Sequence, residues 1–480
     1  MLAHVSSRIA PPSWFQHLLP IELPPEVDVV SPGEPPAPAK PPALSPREFG
    51  FGALSAICPP ELVDRVLSEC GRVERRCRLL PARLMVYALL LMCLYPALGY
   101  QRLMYHLAEA APVPSRWPVP NKSSFIRARA RLGTEVMERL FRALAGPLAD
   151  ERAQGCWWQG RRVMAIDGST GELADSPELE AVFGGPTAKK GKRTGPPQAR
   201  VVGLVECGTR ALVDATIGRF CDGESRLAAL LVRSVTPGML LLADRNFPSV
   251  RLWRLFTKAG ADLLWRAKEP VANRVVGRLD DGSYLAKFGD GKQALTVRVI
   301  EYTLPGSTTI YRLLTSLLDP VMAPAHELAA LYAERWEIEI CYGELKVVQW
   351  ALRALRSLTP DGVHQEFWAH CTLYQVSRRL AYQAAMQTPD RDCDCISFSA
   401  IQDVLRRGAR LATGLTVRRI TAALRAAICE LTPARALLKR RDRVCPRVTR
   451  HKQPRHPSRA RYTGPATTVQ PRRPEIILCA

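Results

Sequence analysis

Between Leu331 and Gln349 apolar and polar residues recur with the period of a helix. Wound at about 100° per residue from Tyr332, the run places Arg335, Glu339 and Lys346 at roughly 300°, 340° and 320°, beside Tyr332 at zero. Leu331, Ile338, Cys341, Leu345 and Val348 fall on the opposite arc, between about 160° and 260°. One narrow face thus carries a phenol, a guanidinium, a carboxylate and an ammonium, and the other is predicted to pack on a sheet. Glu334 intrudes on the apolar arc, and the pattern offers no reason for it. A carboxylate flanked by cations suits a divalent metal, with the cations gripping a polyanion. A solvated face with i,i+4 ion pairs fits the same residues as well.

Two short apolar runs change those odds. Val163–Ile166 and Gly238–Ala243 read as buried strands that end at Asp167 and Asp244. Between them the pattern predicts strands over 200–206 and 210–217, turning at Cys207–Thr209, and a helix over 224–234. A helix over 249–259 and a strand over 262–266 follow Asp244. From Ala267 to Leu318 short alternating strands with Gly turns predict an antiparallel insert. After Pro324 the pattern is helical: the run described above, then 365–387 and pieces of 399–438.

Ahead of the first strand, helices are predicted near 61–69, 82–94, 100–110, 124–131 and 134–144, with Asn121 or Ser123 capping the fourth. Leu84–Tyr100 is apolar, but it is short for a bilayer and contains Pro96, so it predicts a core helix. Arg127, Arg129 and Arg131 precede a turn at Gly133, a helix-turn-helix layout that either meets DNA or is an ordinary helical hairpin.

The implied organisation is a disordered Pro-rich leader (1–46), a helical N-terminal domain that is a candidate DNA binder (47–150), an α/β core (158–266 and 319–390), the β insert (267–318), a helical C-terminal region (391–438) and a disordered basic tail (439–480). The 480 residues carry 67 Lys+Arg against 45 Asp+Glu, a net charge of +22, which points to nucleic acid as partner rather than a membrane. The tail suits phosphate contact without base readout. In the loop 184–197, Lys189, Lys190, Lys192 and Arg193 either grip DNA near Asp167 or merely solubilise the loop. The 14 Cys show no repeating frame, and Cys393-Asp-Cys395 alone is a weak zinc signal. Reduced thiols and the lack of a secretory signal at the N-terminus predict a cytoplasmic protein.

Brought together, Asp167, Asp244 and Glu339 would bind two Mg²⁺ about 4 Å apart for an in-line displacement at phosphorus. The order of elements (a strand with Asp, two antiparallel strands, a helix, a strand with Asp, a helix with Glu) matches an RNase H-like core. At this point the chain resembles a family. Tyr332-x-x-Arg335-x-x-x-Glu339-x-x-x-x-x-x-Lys346 reproduces the YREK signature of bacterial insertion-sequence DDE transposases of the IS-four type. Ile166-Asp-Gly-Ser-Thr170 and Asp244-Arg-Asn-Phe247 resemble that family's two Asp motifs, with Asn246 standing where Gly is usual.

The resemblance covers about residues 50–440 and implies an α/β, RNase H-like (integrase-like) fold interrupted by the insert. It implies Asp167, Asp244 and Glu339 as ligands of two Mg²⁺, for which Mn²⁺ could substitute. Tyr332, Arg335 and Lys346 would contact phosphates of the transposon end, with Arg245 of the second Asp motif beside them. It further implies cut-and-paste transposition through a hairpin intermediate. The partners would be double-stranded DNA, as inverted-repeat ends and target, and a second copy of the chain in a synaptic complex at the bacterial nucleoid. A flipped base would need an aromatic ring, for which Trp336, Tyr311 and Trp265 are candidates, each also suited to core packing. The alternative is a catalytically idle DNA-binding protein derived from a transposase.

Overall fold

The computed structural model describes residues 53–76, 78–110, 119–188, 193–268, 275–305, 308–387, 392–409, 417–434 and 476–479. The leader, Lys189, Lys190, Lys192 and the basic run 439–475 lie outside the described residues.

In chain order the elements are α1 (Ala53–Ile57), α2 (Pro60–Glu69), α3 (Ala82–Leu94), α4 (Tyr100–Ala110), α5 (Lys122–Leu132) and α6 (Glu135–Leu144). Then come β1 (Trp157–Trp158), β2 (Arg161–Glu172), α7 (Pro177–Phe183), β3 (Gln198–Glu206), β4 (Leu212–Arg219), α8 (Glu224–Ala229), β5 (Met239–Ala243), α9 (Val250–Lys258) and β6 (Asp262–Arg266). The insert supplies β7 (Val275–Arg278), β8 (Tyr284–Phe288), β9 (Leu295–Thr303) and β10 (Tyr311–Thr315). The chain continues with α10 (Ala325–Leu331), α11 (Trp336–Gly343), α12 (Pro360–Ala385), α13 (Phe398–Gly408), α14 (Val417–Ala434) and β11 (Ile477–Leu478).

The described residues fall into two compact units, one within Met1–Ala143, His364–Gln387 and Phe398–Arg435, the other within Leu144–Val363, Thr388–Ser397 and Ala436–Ala480. The first is helical and forms round α3. Every residue of α3 from Arg83 to Leu94 is buried, because leucine and methionine occupy all sides of the helix. No described helix is long and apolar enough to cross a membrane. Asn121 caps α5, its side chain accepting from Ser124 N at 2.8 Å.

The second unit is built on one sheet, in the order β4-β3-β2-β5-β6-β10-β9-β8-β7. β2, β3 and β4 are antiparallel neighbours, whereas β5 runs parallel to β2 and β6 parallel to β5. This is the RNase H-like arrangement. β5, Met-Leu-Leu-Leu-Ala, is buried along its whole length, as a parallel strand covered on both faces must be.

Two expectations change, for β2 and for the end of the chain. β2 does not end at Asp167. Its parallel pairing with β5 stops at Ile166↔Ala243, but its antiparallel pairing with β3 runs on to Glu172↔Gln198. The antiparallel insert is continuous with the core, as β10 pairs with β6 and extends the sheet. At the far end of the chain, Ile477 and Leu478 pair with Thr303 and Tyr302 of β9, so these residues form an edge strand rather than part of a disordered tail.

A buried arginine ties the insert to the helical run after it. Arg298 of β9 donates to Ser283 Oγ at 2.7 Å and to the carbonyl of Ala323 at 2.6 Å, and it pairs with Asp281. Asp281 in turn accepts the backbone N–H of Ala325, at the start of α10.

Candidate active site

The run predicted as one helix is helical throughout but changes pitch twice. Tyr332–Arg335 winds as a tight 3₁₀ turn, α11 is regular, and Glu344–Gln349 is a π-helix. π segments in helices concentrate at functional sites. This run lies against the ends of β2 and β5, and three of the four signature residues, Tyr332, Arg335 and Lys346, reach those strands. Tyr332 Oη donates to the carbonyl of Ala243 at 3.1 Å, the residue before Asp244. Arg335 Nη2 donates to Glu339 Oε1 at 2.8 Å, and its Nη1 lies 3.5 Å from Asp167 Oδ2. Lys346 Nζ donates to Ser169 Oγ, two residues along β2 from Asp167 and therefore on the same face.

Asp167 and Asp244 occupy equivalent positions one past the paired Ile166 and Ala243. Burial pushes the Asp167 carboxyl up to about 6. The Gly168 N–H and Arg335 oppose that shift, and the charges of Asp244 and Glu339 add to it. Asp167 therefore feels the charges of both other acids, where β5 ends beside β2. Asp244 Oδ1 accepts the N–H of Asn246 at 2.6 Å. Asn246 does not have a positive φ, so this turn does not require the glycine usual there.

Three carboxylates offer only hard oxygen donors, the set suited to Mg²⁺ or Mn²⁺. Yet among the described residues no three His, Cys, Asp or Glu side chains are grouped to hold a metal ion. Their oxygens are turned to internal donors: Asp167 to Gly168 N and Arg335, Glu339 to Arg335, Asp244 to Asn246 N. The donor chemistry fits the ion, whereas as they stand Asp167 and Glu339 are paired with the Arg335 guanidinium and Asp244 is turned to its own loop.

The other candidates divide. Trp336 is 42% exposed, with Arg335 Cζ 5.6 Å from its ring centroid. Arg245 is exposed beside Asp244. Trp265 is fully buried, edge-on to Trp253 and Phe256, so it is unavailable to a base. Arg193 is engaged locally, with Asp175 at 2.6 Å and Glu180 at 2.8 Å.

Two groups escape the sequence pattern. Arg266 ends β6, the strand beside Asp244, with Cζ 4.6 Å from the centroid of Tyr311, itself stacked on Tyr302. Among the described residues Arg266 makes no ion pair. Its strand-end position, like that of Asp244, was the available signal. The second group is Arg210, in the β3–β4 turn. It is 1% exposed, has φ +58°, and pairs with Glu337 at 2.7 Å, Glu344 at 3.1 Å and also Asp394. Glu337 and Glu344 flank Glu339 along the helical run, and Asp394 lies between the two cysteines once read as a weak zinc signal.

Residues 48–142 match the family described as "Insertion element 4 transposase N-terminal", and residues 158–376 match "Transposase DDE domain". The chain is 29% identical over 417 residues to the Escherichia coli K12 protein "Transposase InsG for insertion sequence element IS4", covering 83% of this chain and 92% of that protein. It is 28% identical over 144 residues to the same organism's "Putative transposase InsZ", covering 30% of this chain and 48% of that one. A solved piggyBac transposase synaptic complex with hairpin DNA is similar over 82% of this chain and 84% of that one, at 10% identity and a TM-score of 0.40. The signature residues, the two Asp motifs and both family matches agree: the chain belongs to the IS4 family of DDE transposases.

Proposed function

We propose that this transposase moves an insertion sequence by cut-and-paste, through phosphoryl transfer at the ends of the element, with Asp167, Asp244 and Glu339 as its reactive centre. The observation that carries the reading is the meeting of Asp167, Arg335 and Glu339 where β2 leaves its pairing with β5, the strand that Asp244 follows. Arg335 and Lys346 hold phosphates of the transposon end, and Tyr332 fixes the helical run against Ala243. Arg266 and Arg245 extend the cationic rim. A DNA phosphate that took the Arg335 guanidinium would free Asp167 and Glu339, which with Asp244 would hold two Mg²⁺ or Mn²⁺. Bound there, the ions would supply activation of an attacking oxygen and stabilisation of a leaving 3′ oxygen. The cationic rim orients the scissile phosphate.

The second strand is cut through a hairpin, and two copies of the chain pair the two ends before insertion into target DNA. The test uses a duplex carrying the terminal repeat with Mg²⁺. Asp167→Asn, Asp244→Asn and Glu339→Gln each abolish strand cleavage while DNA binding survives. Full activity in any one removes that residue from the centre, and double-strand cleavage with no hairpin on a denaturing gel removes that intermediate.

A further inference from the structure

The basic face expected on α5 is largely internal. Arg129 is buried and donates to Gln365 Oε1 at 3.0 Å, while Gln365 Nε2 donates back to the carbonyls of Arg129 and Gly133, each at 2.8 Å. Arg131 donates to Glu74 Oε1 and to the carbonyl of Leu80, both at 3.3 Å. Two of the three arginines therefore hold the helical unit together.

Exposed cations cluster instead on the segment between α2 and α3, where Arg72, Arg75, Arg76 and Arg78 all reach the surface and Glu74 is the sole acid. Arg72 Nη1 donates to the carbonyl of Arg131 at 3.3 Å, and its guanidinium lies over Gly133, where a Cβ would come within 2.8 Å of it. Arg78 Nε is 3.4 Å from Glu74 Oε1. Arg75 and Arg76 have no hydrogen bond or ion pair among the described residues. A cleft of about 280 Å³ opens between the segment and α5, lined by Arg72, Arg78, Arg131, Glu74, Val73 and Leu80 among others. Arg78 and Arg131 share the Glu74 carboxylate, and such exposed pairs add little stability. All are arginine, none lysine, and arginine matches a phosphate with two parallel hydrogen bonds.

We propose that the α2–α3 segment, flanked by Arg131, is a contact for the sugar-phosphate backbone of duplex DNA. Arg75 and Arg76 each neutralise a phosphate, and the cleft seats another between Arg72 and Arg78. This rests on the transposase reading above and assigns part of its DNA contact to the helical unit.

The test compares wild type, Arg75→Gln/Arg76→Gln and Arg75→Lys/Arg76→Lys on a terminal-repeat duplex and an unrelated duplex across a salt series. Circular dichroism checks that all three fold alike. Two lost phosphate contacts reduce the slope of log K against log salt by about 1.8 on both duplexes, and the lysine pair keeps the slope. A glutamine pair with the wild-type slope overturns this surface and leaves the transposase reading standing. A wild-type chain that binds neither duplex contradicts both. Loss confined to the terminal-repeat duplex in the lysine pair means the arginines read bases, and the backbone contact is wrong.

Discussion

The phenol of Tyr342 donates a 2.8 Å hydrogen bond to the backbone carbonyl of Asp167. Gly203, the partner of Asp167 across β2 and β3, leaves the room: a Cβ there would stand 3.1 Å from the Tyr342 hydroxyl. The helical run is thereby fixed to the strand residue whose carboxylate it must meet. Tyr342→Phe should lose about 1 kcal/mol, and cleavage should slow about fivefold with end binding unchanged. Single-turnover cleavage at saturating DNA measures this, and an unchanged rate would mean that the bond does not position Asp167.

Arg210 holds the same helical run from behind, through Glu337 and Glu344. Arg210→Met would strand buried carboxylates and should cost about 3–5 kcal/mol, read by urea denaturation. Adding Glu337→Gln, Glu344→Gln and Asp394→Asn should recover most of that loss. A single variant as stable as wild type would show that the cluster is not ionised.

Asp167 has a folded value of about 6 against 3.8 for the free side chain. Below about pH 4 both folded and unfolded chains keep the proton. As pH rises from there to about 6 the unfolded chain ionises first, so the metal-free protein loses on the order of 3 kcal/mol, and the loss persists at higher pH. Asp167→Asn removes this cost. It should raise the thermal midpoint of metal-free protein at pH 8 and leave it unchanged near pH 4. Equal midpoints at both would refute the burial of an ionisable Asp167.

Arg335 stands where a cation is wanted, paired with Glu339 and Asp167. Arg335→Ala should therefore tighten Mn²⁺ binding in the absence of DNA by about tenfold, if the resident pair is worth about 1.4 kcal/mol. The same variant should weaken binding to the terminal repeat and lower its salt slope by about 0.9. Mn²⁺ affinity equal to that of wild type would show that the guanidinium does not compete.

Local pattern revealed much of this architecture and missed what long-range pairing decides. β5 was legible because Met239–Ala243 is apolar throughout, and α3 because its leucines cover every side. β2 beyond Asp167 was not, since Gly168, Ser169, Thr170 and Gly171 carry no apolar signal and are strand only through pairing with β3. The signature face of the helical run was legible from spacing, although the 3₁₀ and π turns depart from a constant 100° per residue. Glu337 and Glu344 carried no distinguishing signal in the helical spacing. They are buried because Arg210 reaches them from a turn more than a hundred residues earlier, and spacing along one helix carries no trace of that. Arg129 looked exposed for the same reason, since Gln365 lies on a distant helix.

The account turns on three carboxylates serving one site. Electron paramagnetic resonance titration of Mn²⁺ into the chain bound to its terminal-repeat duplex tests that directly. Two ions per site are predicted for wild type, with at least one lost in each of Asp167→Asn, Asp244→Asn and Glu339→Gln. Wild-type stoichiometry and affinity in all three variants would contradict it.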